Sequence, residues 1–158
     1  MAGIAQSPTL SARQAHRLVQ VGLLLFLAAM IVGVLIPKFG IPRVGLSVHL
    51  LGLLQGIFLV VIGLLWPKLH FGRSLSRAAF WLLIYGCLSA WTASVLAGTF
   101  RAGGNLLPMA AGAVHGTAFQ EWIISIGLRS AAVSLIVALL ILLWATRHVA
   151  NIEPTDKP

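Results

Sequence analysis

Ile41-Pro42-Arg43-Val44-Gly45-Leu46-Ser47-Val48-His49-Leu50-Leu51-Gly52-Leu53-Leu54-Gln55-Gly56 decides the fold. A basic turn leads into an apolar run that continues to Trp66 and stops at Pro67. Such a run crosses a hydrocarbon core of ~30 Å at ~1.5 Å per helical residue. As a helix it places His49, Gly52, Leu53, Gly56, Val60 and Gly63 on one stripe, because residues three, four and seven apart share a face. A histidine above a glycine track has two readings. Gly52 and Gly56 form a G-x-x-x-G pair, which lets a second helix approach closely. The same flat wall admits a planar group such as a porphyrin, with His49 on its metal and Gly52 and Gly56 against its face. A neighbouring backbone group could equally satisfy His49. Gln55 flanks the stripe, and an amide in hydrocarbon needs a hydrogen-bond partner or a substrate.

The composition extends this reading to the whole chain. Of 158 residues, 59% are hydrophobic and 9% charged, with a mean hydropathy of +0.98; no water-soluble domain hides that much apolar surface. The expectation is an all-α integral-membrane four-helix bundle with spans near 18–36, 48–66, 78–98 and 122–144. These form one domain over 18–146, between a flexible segment 1–17 and a tail 147–158. The net charge of +8 would point to nucleic acid in a soluble protein. Here the basic residues fall mostly between apolar runs and read as topology signals, so no nucleic-acid partner is expected. Arg13, Arg17, Lys68, Arg73, Arg77, Arg147 and Lys157 belong to one side, against Lys38, Arg43 and Arg101 on the other. That imbalance places both termini in the cytoplasm of a multi-pass protein in a bacterial-type inner (cell) membrane. Cys87 is the only cysteine, so any haem is held without a thioether link.

Along the chain, residues 1 to about 15 have no periodic apolar face and are expected to be disordered or surface-bound. Ser47 is the candidate N-cap of the second span. In the third span, Tyr85, Ser89 and Thr92 make a polar stripe expected to face the bundle interior. Hydroxyls there are often glue between helices, and Tyr85 is the one singled out for chemistry. The Gly- and Ala-rich connection near 99–120 is long enough to fold back as a lid on the side of His49. In the fourth span Arg129 lies about two turns deep, where a charge costs ~2.5 kcal/mol or more and demands a partner. Either Glu121 pairs with it, or Arg129 holds a carboxylate such as a haem propionate.

Pro42-Arg43-x-Gly45-Leu46-Ser47-x-His49-Leu50, Gly56, the Leu-Val-Val-x-Gly-Leu-x-Trp-Pro run ending at Pro67, Ala79-Phe80-Trp81 with Tyr85-Gly86, and Ala110-Ala111-Gly112-x-x-His115-Gly116-Thr117-Ala118-x-Gln120-Glu121 together resemble the hydroxylaminobenzene mutases. The resemblance covers about residues 18–146. It implies an isomerase that converts an aryl hydroxylamine into an ortho-aminophenol such as 2-aminophenol, with a small aromatic substrate and a role in nitroaromatic degradation. More distantly, His49, Gln55 and Gly56 resemble the styrene oxide isomerases, homotrimeric membrane proteins whose ferric haem b is ligated by the matching histidine. The chain departs from that pattern at Gln55, where those isomerases have asparagine, at Tyr85, where they have aspartate, and at Ala93, where they have tyrosine. The resemblance thus implies a homotrimer in membrane lipid with haem b on His49. Gly52, Gly56 and Arg129 would hold the cofactor, and Tyr85, Gln55 and Glu121 would serve catalysis. Trp81 and Trp91 are weaker candidates for holding the arene. Three other readings remain: an aryl epoxide isomerase, a non-catalytic haem carrier or sensor, and a small transporter subunit.

Overall fold

A proline, not a serine, opens the helix that carries His49. In the computed structural model, which describes residues 10–69, 72–102 and 116–150, that helix is α2 (Pro42–Leu65) with Ile41 at its N-cap. Proline suits the first helical turn because its missing N–H has no partner to lose there. Ser47, expected as the cap, lies inside the helix, where its hydroxyl donates to the Arg43 carbonyl 3.1 Å away. The first helix, α1 (Leu10–Leu35), starts earlier than its apolar run, so residues 10–15 are helical where sequence indicated disorder. Short 3-10 turns at Ile36–Lys38 and Trp66–Lys68, each holding a proline, terminate α1 and α2.

The remaining helices are α3 (Arg73–Phe100) and α4 (Ala118–Ala150). All four are long and apolar enough to cross a membrane, and no strand occurs among the described residues. Exposed side chains such as Leu24, Val34, Leu54, Leu64 and Leu140 cover the outside. In water such a belt would drive association; in a bilayer it is the surface that lipid solvates. Of the connection near 99–120 expected as a lid, residues 99–100 belong to α3 and 118–120 to α4, while 103–115, with His115, lie outside the described residues, as does His70.

The helices pack as two antiparallel pairs, α1 with α2 and α3 with α4, joined chiefly through α2 and α3. Glycine makes the first pair close. A Cβ added at Gly22 would stand 2.7 Å from the Gly56 carbonyl oxygen, and one at Gly56 2.8 Å from the Gly22 oxygen. Backbone touches backbone there, as small residues permit in membranes. At the end where α1 begins, Leu18, Leu59, Trp66, Phe80 and Leu83 form one buried cluster. Gln14 sits beside it, accepting hydrogen bonds from the Ser76 hydroxyl (2.7 Å) and the Trp66 indole (3.4 Å). At the other end Val44, Val48, Ala97, Ala102 and Ile124 form a second cluster. His49 and the α3–α4 connection share that second end.

Candidate active site around His49

His49 lies two turns into α2, against α1. Its Nδ1 is 2.7 Å from the carbonyl oxygen of Ala29. A carbonyl can only accept, so Nδ1 donates to it and Nε2 is the nitrogen left for another partner. Metal-bound histidines are commonly oriented by such a backbone contact on the other ring nitrogen. The ring lies flat across Gly33, where an added Cβ would come 2.7 Å from Nδ1. From α3, the Trp91 indole donates to the Val48 carbonyl at 3.2 Å and covers Gly52. His49, Ala29, Gly33, Gly52 and Trp91 therefore form one neighbourhood. Sequence reading found His49 and Gly52, gave Trp91 little weight, and missed Ala29 and Gly33. The signal was available: Gly22, Ala29 and Gly33 repeat small residues at spacings of seven and four, complementary to the track on α2.

The glycine track itself is filled. Gly56 meets Gly22 and Phe26, while Gly52 meets Ala29 and Trp91. Of the two sequence readings, close helix approach describes both glycines, and neither leaves a flat wall for a planar group inside the chain.

Gln55 shares its face of α2 with Val48 and Leu59. It is 8% exposed, and its Oε1 has no hydrogen-bond partner among the described residues. A buried acceptor left so costs ~1–3 kcal/mol, so the position favours whatever donor can reach it.

Tyr85 departs from expectation in direction. Its hydroxyl pairs with the Ser130 hydroxyl at 2.8 Å, and Ser89 donates to the Gly127 carbonyl at 3.1 Å. Tyr85, Ser89, Thr92 and Gly127 line a cavity of about 510 Å³ between α3 and α4. That cavity opens outward, and Tyr85 is 51% exposed, so the polar stripe faces the outside of the chain rather than the bundle interior. The stripe is legible from residue spacing, but the neighbour that stands opposite it is not.

Glu121 and its neighbours build the start of α4. Thr117 and Gln120 form a capping box: the Gln120 Oε1 accepts from the Thr117 amide at 2.9 Å, and the Thr117 hydroxyl accepts from the Gln120 amide at 3.3 Å. The buried Glu121 carboxylate accepts from the Gly116 amide at 3.1 Å. The Gly-Thr-Ala-x-Gln-Glu motif is thus a helix start. Arg129 is exposed on α4. Eight positions along the helix set it ~12 Å from Glu121, beyond the three- and four-residue spacing at which helical side chains pair, which corrects that expectation. None of Tyr85, Gln55 and Glu121 is hydrogen-bonded to His49.

The donor set discriminates between kinds of metal site. Among the described residues no group of three or more His, Cys, Asp or Glu side chains gathers. One oriented imidazole does not hold a bare ion, but it does fit a macrocycle that brings its own four nitrogens. His49, oriented by Ala29 and only half buried, is the residue that would ligate such a macrocycle.

Comparison with known proteins agrees with the sequence motifs. The model of the styrene oxide isomerase family matches residues 14–147. Hydroxylaminobenzene mutase HabB of Ectopseudomonas oleovorans is 43% identical over 152 residues, which is 96% of this chain and 93% of that protein. Hydroxylaminobenzene mutase HabA of the same organism is 39% identical over 122 residues, 77% of this chain and 90% of that protein. No solved structure matches. Four apolar helices, an oriented histidine in the second, and similarity running nearly end to end place this chain in the hydroxylaminobenzene mutase family of isomerase-type membrane enzymes, within the wider styrene oxide isomerase family.

Proposed function

We propose that the chain is a membrane mutase that converts hydroxylaminobenzene-type aryl hydroxylamines into ortho-aminophenols, with ferric haem b on His49. The observation that carries the cofactor is the His49 Nδ1–Ala29 hydrogen bond of 2.7 Å, which commits one nitrogen to the backbone and leaves Nε2 as a ligand. The substrate is inferred from the name of the 43% identical relative.

Substrate and product are isomers. The N–O bond breaks, a C–O bond forms at the ortho carbon, that carbon loses a proton, and nitrogen gains one. No external oxidant or reductant enters. Ferric haem b, held by His49, would supply a Lewis-acidic iron. The chain's own residues do the rest. Gln55 offers a buried carbonyl oxygen to a substrate N–H or O–H, which orients the reacting group. The Tyr85 hydroxyl relays the ring proton, with Ser130 holding it in place. Dry apolar walls keep water from competing for the activated arene. Arg129 would hold the cofactor's carboxylates. Glu121 anchors the start of α4 through Gly116 and stays outside the proton relay.

Tyr85, Thr92 and Arg129 face outward on the α3–α4 pair while the half-buried His49 belongs to the α1–α2 pair, and that supports a homotrimer in which one chain's His49 side meets a neighbour's polar face. Tyr85, Thr92 and Arg129 are exposed within spans. An exposed arginine at that depth costs ~2.5–3.5 kcal/mol unless something covers it. The Lys and Arg asymmetry supports an inner-membrane protein with both termini in the cytoplasm.

A second reading, an aryl epoxide isomerase, is favoured by the family match over residues 14–147. Purified enzyme given hydroxylaminobenzene and styrene oxide side by side decides between them. Formation of 2-aminophenol without phenylacetaldehyde is expected, and the converse overturns the proposal.

A further inference from the structure

The weak contact between α1 and α3 leaves a groove on the face away from α2. Its membrane-facing part, about 640 Å³, is lined by Val21, Leu24, Phe80, Trp81 and Ile84. At the end where α1 begins it meets a second cavity of about 250 Å³ lined by Arg13, Arg17 and Arg77, with Arg17, Phe80 and Trp81 common to both. Three guanidiniums thus surround the mouth of an apolar channel at the membrane boundary. No carboxylate answers them among the described residues, since Glu121, the one acid there, lies at the opposite end of α4. Glu153 and Asp156 complete the chain's three acids and belong to the segment 151–158.

We propose that this groove binds one anionic glycerophospholipid, its phosphodiester among Arg13, Arg17 and Arg77 and the start of an acyl chain along Leu24 and Ile84. Two observations meet in that assignment. Guanidinium pairs bidentately with phosphate oxygens and keeps its charge at the interface. Basic pockets between helices at the bilayer surface select anionic headgroups, while a free anion would gain nothing from the apolar channel below. Neither observation depends on the chemistry at His49.

Delipidated full-length protein in mild detergent, titrated with dioleoylphosphatidylglycerol, dioleoylphosphatidylcholine or inorganic phosphate, tests the proposal by native mass spectrometry. One phosphatidylglycerol per chain is expected to persist where phosphatidylcholine does not. Arg13→Gln and Arg77→Gln should each raise the half-saturating concentration about fivefold, the worth of one interfacial basic residue. Leu24→Trp, which narrows the channel and leaves every arginine, should also weaken retention. Equal binding of the two lipids, or arginine variants that bind like the parent, would overturn the assignment. Displacement of phosphatidylglycerol by an equal concentration of inorganic phosphate would overturn it too, by marking a simple anion site. So would tighter lipid binding by a Glu153→Gln, Asp156→Asn double variant, which would make the chain's own tail the occupant.

Discussion

The Nδ1 of His49 and the carbonyl oxygen of Ala29, 2.7 Å apart, tie the α2 histidine to α1. Gly33 leaves the space the ring occupies, so α1 both receives the imidazole and holds it by a hydrogen bond. Gly33→Ala is the sharpest probe of that idea. A methyl group 2.7 Å from Nδ1 forces the ring aside. The expected result is a fall in turnover of at least tenfold with helicity unchanged by circular dichroism.

Gly56→Ala separates packing from chemistry. Its Cβ would meet the Gly22 backbone oxygen at 2.8 Å and Phe26 at 2.9 Å, and neither helix can yield without moving the pair apart. Overpacking of this kind costs ~1–3 kcal/mol. A lower thermal midpoint in detergent is expected, with loss of activity following loss of fold.

Most of the architecture was legible in the sequence. Four apolar runs, with Pro37 and Pro67 as stops, mark the four helices because a span must be apolar nearly all round, a demand no other residue pattern meets. For the same reason the sequence did not say which face of α3 turned inward. Apolar side chains cover both its lipid and protein faces, and Tyr85, Ser89 and Thr92 mark a polar stripe without naming what stands opposite. His49 was visible as the one histidine within the spans expected from sequence, but its partner was not, since a backbone carbonyl leaves no trace in residue identity. Glu121 was visible as an acid at a boundary; its contact with the Gly116 amide needed coordinates.

Tyr85→Phe removes one hydroxyl and leaves Ser130 a second acceptor, the Gly127 carbonyl at 3.2 Å. Stability should fall by about 1 kcal/mol or less. As a proton relay, Tyr85 should cost ~10²-fold or more in kcat when replaced. An unchanged kcat with a small stability loss would reduce it to interhelical glue.

Glu121→Gln keeps an oxygen acceptor for the Gly116 amide. Turnover within about threefold of the parent is expected if Glu121 anchors α4, because the capping geometry, worth ~1 kcal/mol, survives. Glu121→Ala should lose that stability. A large loss of kcat in the glutamine variant, with folding intact, would return Glu121 to the proton relay.

The central claim is that His49 carries a ferric haem at which the aryl hydroxylamine rearranges. It is tested most directly by the absorption spectrum of detergent-purified protein before and after hydroxylaminobenzene, with 2-aminophenol followed as product, in the parent and in His49→Ala. A Soret band that shifts on substrate addition is expected in the parent, with loss of both the band and the product in the variant. Steady 2-aminophenol formation by parent protein without a Soret band, or by His49→Ala, would contradict it.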